Sequence, residues 1–575
     1  MNGATAEGGA AAPRPWALAT EALAARGGLL LVAAGLFVFL AAPLAAILIR
    51  SIEDKSGAFV GSANFAQYFA SPAFAHSVGN TLTFAALTTL LTVPLAFTFA
   101  YAIQRTCIPA KWLWRNIALV PILAPSLLAA LSFIYLFGNQ GLFKDLLPYL
   151  GLSTIYGLPG MVLAMTFSAF PHAVMIMLAS LSLSDARLYE AADSMATSEW
   201  RKFVTITLPG ARYGLISAAM VVFTMAVSEF GVPKVIGANY SVLAIDIYKQ
   251  VIGQQNFQIG AVVGLILLVP ALVAFFIDYA MRVRQKALMS ARSVAYVPRP
   301  SRVRDGAMLA FVVVLSAAML LVIGMAVLGS FVKVWPYNLS FTLNHYTYGF
   351  EEAGVENAYR NSLVMAFWCA LIGAVLTFAG AYWLEKTRGA NALRPVVRLL
   401  AMMPMAVPGL VLGIGYILFF NAPGNPLNVL YGTMTILVLS TVIHFYSSSH
   451  LTAVTALKQL DNEFESVSAS LKVPFYKTFW RVTVPVCLPS IIDISRYYFV
   501  NAMTTISAVV FLYSPKTMLA AISIVQLDEA GAIGSAAAMA TLIVATSGVV
   551  TLLSFAAEGW LIRRTQGWRR AAPTR

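Results

Sequence analysis

Few side chains inside the apolar runs of this chain could do chemistry. Glu229 sits in Val-Ser-Glu-Phe-Gly, and Asn501, Thr504, Thr505 and Ser507 cluster in a second apolar run. Polar groups in such surroundings are costly, and they point either to a hydrophilic path or to hydrogen bonds between helices. A carboxylate at 229 would neutralise a cationic group on that path, or else pair with the nearby Lys234. His444 and His450 are six residues apart, which is not the i,i+4 spacing of a zinc-binding helix. Cys107, Cys369 and Cys487 are far apart and form no C-x-x-C. No metal centre, disulfide scaffold or catalytic constellation is therefore expected. The chain has no G-x-x-x-x-G-K-[ST] and no Gly-Lys dipeptide, so no phosphate cradle of that kind and no cofactor of its own are expected.

The elements that must hold these residues follow from composition. Of 575 residues, 59% are apolar and only 11% are charged, against about 25% charged in a soluble protein. Too few charges remain to coat a soluble surface, so the chain reads as a polytopic membrane protein in a lipid bilayer. Its net charge of +14 does not indicate nucleic acid, because no basic run is interleaved with base-stacking aromatics. A crossing helix takes about 20 apolar residues. Twelve runs qualify, roughly 28–49, 80–103, 116–137, 160–181, 213–236, 258–281, 306–331, 361–384, 397–420, 429–450, 488–512 and 534–557. The expected fold is all-α with twelve transmembrane helices. The first run is too long for a signal-peptide core and reads as an uncleaved anchor, preceded by a disordered tail over 1–27.

With both termini placed in the cytoplasm, 30 basic residues fall on the inner side and 8 on the outer, the asymmetry expected of that orientation. Seven of them, from Arg282 to Arg304, surround Pro298-Arg299-Pro300 and mark a linker over 286–305. It is expected to enforce topology and to touch anionic lipid. The linker divides the chain into 28–285 and 306–565, with a short tail over 566–575.

The two parts repeat each other. Asn80-Thr-Leu and Ala100-Tyr101 recur 281 residues later as Asn361-Ser-Leu and Ala381-Tyr382. Pro121 and Pro125 recur as Pro404 and Pro408, and Phe203, Ile206 and Pro209 as Phe479, Val482 and Pro485, 276 residues on. Six spans return the chain to its starting side, so the repeat is parallel. The proline pairs predict kinks in spans three and nine that free backbone groups, serving either as hinges or as packing devices.

Between spans four and five, about 30 residues form an amphipathic cytoplasmic loop where a short turn would suffice, which asks for a partner surface. Glu190, Ala191 and Ala192 would start a short helix with small side chains, and Pro209 would break into span five. Glu465 to Pro485 repeats the design in the second half. The stretch Glu190-Ala-Ala, through Ala196, to Pro209 resembles the EAA loop of binding-protein-dependent ABC importer permeases, with Ala196 standing where that family has Gly. In the second copy Ser466 stands at the Glu position, Glu465 lies one place early, and Lys472 replaces Gly.

The resemblance extends over almost the whole chain and implies two fused six-helix permease domains. It implies that the loops are coupling helices seated on a cytoplasmic ATPase dimer, which binds ATP and magnesium in this chain's stead. It also implies a bacterial inner-membrane location and a periplasmic binding protein that delivers a solute. The outer stretches 50–79 and 332–360, with Phe65, Tyr68, Tyr346, Phe350, Glu351, Glu352 and Glu356, are where that protein would dock. Among fused permeases for iron(III), thiamine and phosphonate, Ala502 to Pro515, Gln526 to Gly531 and Ala536-Ala-Ala-Met are most similar to the 2-aminoethylphosphonate type. That solute is the expected cargo, with ferric iron second. A twelve-span ion-coupled secondary transporter is the rival class; it explains the span count but not the paired loops.

Overall fold

The structure is a computed structural model that describes residues 15–183, 185–287, 296–352, 354–387, 390–460, 463–471 and 473–565. Among the described residues eight helices are long and apolar enough to cross a membrane: Arg26–Ser51, Pro72–Arg105, Leu158–Ser182, Glu199–Ser228, Phe257–Arg284, Arg302–Phe331, Glu356–Glu385 and Ile533–Arg564. Each matches one of the twelve expected runs.

The other four runs are not single long helices, and the kinks expected in runs three and nine are sharp breaks. In run three, Lys111–Leu123 meets Ser126–Phe137 at 100°, and in run nine Leu393–Ala406 meets Gly409–Phe420 at 113°. Counting each bent pair as one span gives ten. The cause is the proline pairs. Pro121 and Pro404 sit in 3-10 turns, and Pro125 and Pro408 then take extended backbone as N-caps of the helices that follow. A proline ring disfavours the helical conformation in the residue before it and has no N–H to donate, and Ala124 and Val407, which precede Pro125 and Pro408, are extended. The 12-residue helices beyond the breaks are about 18 Å long, well short of a ~30 Å hydrocarbon core. Run ten is divided into Met434–His444 and Tyr446–Lys458. Run eleven is the helix Val484–Thr504, which stops well before the expected end at 512.

The first helix begins at Pro15 and continues through a π-turn at Phe37–Ala41, so part of the expected disordered tail is helical. Its Ala-rich sequence has high helix propensity and an apolar helix to extend.

The repeat is explicit in the backbone. A four-residue helix, a five-residue π-turn and a 21-residue helix follow one another at Glu199–Lys202, Phe203–Thr207 and Leu208–Ser228. The same series recurs at Phe475–Thr478, Phe479–Thr483 and Val484–Thr504. Pro209 and Pro485 do not break the chain as expected. Each follows a π-turn, whose i→i+5 bonding accommodates a residue without an N–H.

The two halves exchange their first helices. Tyr416 donates to the Phe39 carbonyl at 2.7 Å, and Phe39 stacks on Phe420 at 5.8 Å. A Cβ on Gly415 would stand 2.8 Å from the Pro43 carbonyl oxygen, so only glycine permits this approach between span one and the second half. Reciprocally, Gly329 of Arg302–Phe331 lies against the Tyr135 ring of the first half, where a Cβ would meet it at 2.7 Å.

Candidate functional site

The first loop is built from its N-cap. Asp185 accepts from the Arg187 N–H at 3.1 Å and starts the helix Ala186–Ser194, satisfying one orphan donor. The helix buries Ala186, Tyr189 and Ala192 and exposes Leu188, Glu190 and Ala191. Tyr189 anchors it through a hydroxyl pair with Thr207 at 2.9 Å. The helix ends as the Ala196 N–H reaches the Asp193 carbonyl and the Thr197 N–H the Ala192 carbonyl, both at 3.0 Å. This places Ala196 at φ +50°, the left-handed geometry that favours glycine at a helix C-terminus. Lys202 donates to Asp193 at 2.6 Å and also to Glu199. The Lys202 ammonium beside it holds the Asp193 carboxyl below its usual pKa. Pro209 is exposed just after the π-turn.

In the second loop Glu465 and Ser466 fall on the helix Glu463–Ser470, Lys472 lies outside the described residues, and Pro485 repeats Pro209. A hydroxyl pair between Ser468 and Thr478 stands near the place of the Asp193–Lys202 ion pair. Both loops turn an apolar stripe outward. Leu188 and Met195 are 58% and 79% exposed, and their repeat positions Phe464 and Leu471 are 45% and 70% exposed. Between them lie Ala191 and Val467, also exposed.

A cavity of about 380 Å³ lies between the halves. Glu229, Asn501, Thr504, Thr505 and Ser507 all line it, so the structure gathers the five polar residues singled out by sequence. Glu229 is not paired with Lys234. It accepts from the Ser126 hydroxyl at 2.7 Å and from the Val232 N–H at 3.1 Å, beyond the end of its helix. Thr504 donates to the Val500 carbonyl at 3.1 Å and Asn501 to the Tyr497 carbonyl at 2.8 Å, so these two serve their own helix while facing the cavity. Thr505 and Ser507 lie past the helix end. Phe230, which lines the cavity, packs on Tyr248 with ring centroids 5.1 Å apart, and Tyr248 in turn meets Phe511 of the second half at 6.4 Å. Beside them Lys234 of the first half meets Glu529 of the second at 2.5 Å.

The family of binding-protein-dependent transport system inner membrane components matches residues 106–287 and 377–566, once in each half. This chain belongs to that family. The permease is 25% identical over 540 residues to the ferric transport system permease protein FbpB of Actinobacillus pleuropneumoniae, covering 92% of this chain and 77% of that protein. It is 27% identical over 442 residues to a putative ferric transport system permease protein FbpB 1 of Haemophilus influenzae, covering 74% and 68%. The molybdenum transport system permease protein ModB of Azotobacter vinelandii is 28% identical over 200 residues, 34% of this chain and 88% of that protein. Among solved structures, a bacterial alginate ABC transporter in complex with an alginate pentasaccharide-bound periplasmic protein has a TM-score of 0.40 at 18% identity. It covers 48% of this permease and 99% of that chain.

Three features of the permease escaped the reading of its sequence. Ser168 and His172 line the cavity together with His444 and Ser448. The 276-residue offset pairs the first two with the second two, types exchanged, and would have revealed them. Asp278 also lines the cavity, held by Ser217 and by Arg282 at 2.8 Å. The linker is the third, since Arg299 and Arg304 reach carboxylates of the first loop. In the outer stretches, Tyr68 and Phe350 are buried and Phe65 and Tyr346 half-buried, because they pack inward. Among the described residues the exposed aromatics there are Phe59, Phe69, Tyr337 and Phe341. Among the described residues no group of three or more His, Cys, Asp or Glu could hold a metal ion.

Proposed function

We propose that this permease is the fused membrane subunit of an ATP-driven importer in a bacterial inner membrane, with twelve crossings and both termini in the cytoplasm. The observation that carries the reading is the outward apolar stripe of Leu188, Ala191 and Met195, repeated by Phe464, Val467 and Leu471. Two such stripes on short helices between spans fit two grooves on an ATPase dimer, and they have no use in a secondary transporter. ATP-driven closure of the dimer draws the loops together and opens the cavity outward. A periplasmic binding protein then releases its ligand past Phe230 and Phe511 into the space lined by Glu229, Asn501, Thr504, Thr505 and Ser507.

For the cargo, the ferric permease relatives aligned over most of the chain support iron. Glu229, Asp278 and Tyr497 offer oxygen contacts along the cavity, suited to a hard cation in transit. The second reading is 2-aminoethylphosphonate, supported by hydroxyl and amide groups such as Ser126, Thr224, Ser228 and Asn501 around one carboxylate. Proteoliposomes holding the permease, its ATPase and its binding protein decide between them. ATP-dependent uptake of radioactive iron supports the first, and uptake of labelled 2-aminoethylphosphonate supports the second. Uptake driven by an ion gradient without any ATPase overturns the importer reading.

A further inference from the structure

The two coupling loops repeat each other, and among the described residues the linker fastens onto the first of them. Residues 296–301 precede the helix Arg302–Phe331 and have no regular structure of their own, yet they are fastened at several points. The Tyr296 ring lies 4.4 Å from the Tyr189 ring. The Arg105 guanidinium lies over both rings, 4.6 Å from Tyr296 and 5.2 Å from Tyr189, and donates to the Leu181 carbonyl at 2.8 Å. Arg299 meets Asp193 at 2.9 Å, and the Cys107 thiol donates to the Pro298 carbonyl at 3.4 Å.

Tyr189 and Asp193 are neighbours on one face of the loop helix, one turn apart, so the linker grips the side opposite the exposed stripe. Two rings in contact, tilted at 46°, and a cation over an aromatic face, partly shielded from water, make a directional contact. Arg299 is largely exposed, so its ion pair adds little by itself. The sandwich is not repeated in the second half, where Glu465 occupies the position of Tyr189.

We propose that Tyr296 is a positioning residue for the first coupling helix, and that the linker ties this helix to the first span of the second half. This inference rests on the ATPase-coupling reading above. Movement of the first ATPase is then transmitted to both halves at once, to its own half through the π-turn at Phe203–Thr207 and to the other through Tyr296 and Arg302–Phe331.

The test uses full-length permease in lipid nanodiscs carrying Tyr296→Ala or Tyr296→Phe. In Tyr296→Ala, amide exchange over 186–194 should rise at least about fivefold while exchange over 463–470 stays unchanged, the size following from the lost ring and cation contacts. The affinity for the partner ATPase should fall by a similar factor, and Tyr296→Phe, which keeps the ring, should restore both. Unchanged exchange over 186–194 overturns the proposal, as does raised exchange with unaltered ATPase affinity. If wild-type permease binds no ATPase, the coupling reading fails and this inference with it, whereas the exchange result reports on the linker contact by itself.

Discussion

Glu229 and Thr505 occupy the same place in the two halves with different chemistry. Each follows the last residue of a 21-residue helix, with φ −71° and ψ 129° at Glu229 and φ −73° and ψ 141° at Thr505. The repeat thus fixes the backbone beside the cavity and leaves the side chain free to differ. The Glu229 carboxylate is accommodated by Ser126 at 2.7 Å. On the other side glycine replaces that serine, and Gly409 packs so closely on Ser507 that a Cβ would meet its hydroxyl at 2.7 Å. The cavity therefore carries an acid on one wall at this level and hydroxyls on the other.

Removing that acid should separate stability from transport. Glu229→Ala leaves the Val232 N–H and the Ser126 hydroxyl without their acceptor, at a cost of about 1–3 kcal/mol. Thermal unfolding in detergent should show this loss, with Glu229→Gln closer to wild type. If the charge serves a cationic cargo, uptake by Glu229→Gln falls although its unfolding temperature holds. Full uptake by that variant would assign the carboxylate to structure alone.

Ala196 is in a conformation that glycine would adopt without strain. The left-handed region costs an L-residue about 1–2 kcal/mol, partly offset by the chain entropy that glycine loses. Ala196→Gly should therefore stabilise the loop by roughly 0.5 kcal/mol, and Ala196→Val should destabilise it. Protease cleavage between 195 and 199 reads the difference. Faster cleavage of the glycine variant would contradict the strain argument.

The contact of Lys234 with Glu529 joins the halves on the side away from the loops. Glu529 is about half exposed, so screening limits the stability of the pair to less than about 1 kcal/mol. Its expected effect is on closure rather than on folding. Lys234→Glu should raise ATP hydrolysis in the absence of binding protein, and the double reversal Lys234→Glu with Glu529→Lys should lower it again. Failure of the double variant to recover would separate the pair from closure.

The loops should differ in their sensitivity to charge. Glu190 is exposed beside the apolar stripe of the first loop, at the family's Glu position, whereas Ser466 holds that position in the second. Glu190→Lys is expected to uncouple ATP hydrolysis from uptake more strongly than Glu465→Lys, measured as cargo moved per ATP consumed. Equal loss in the two variants would remove any mechanical meaning from the difference between the loops.

The sequence by itself determined the helical class, the duplication and the loops that mark the family. These are readable because apolar length, repeated residues and proline are properties of a segment or of a segment compared with its copy. Even the five polar residues of the cavity stood out, since a hydrophilic side chain in an apolar run is visible without its neighbours. Only the tertiary structure decided whom they meet. Glu229 takes Ser126, 103 residues away, rather than the adjacent Lys234, because its helix ends beside the break at Pro125 and turns the carboxylate toward that helix's start. Lys234 is then left to a partner in the other half. The proline pairs announced a kink but not a bend of 100° or 113°, which depends on what each short helix packs against. The basic residues of the linker were plain in the sequence, but not that Tyr296 and Arg299 meet an aromatic ring and a carboxylate of the first loop. Partners this distant in the chain are selected by packing between elements, and hydropathy carries no record of it.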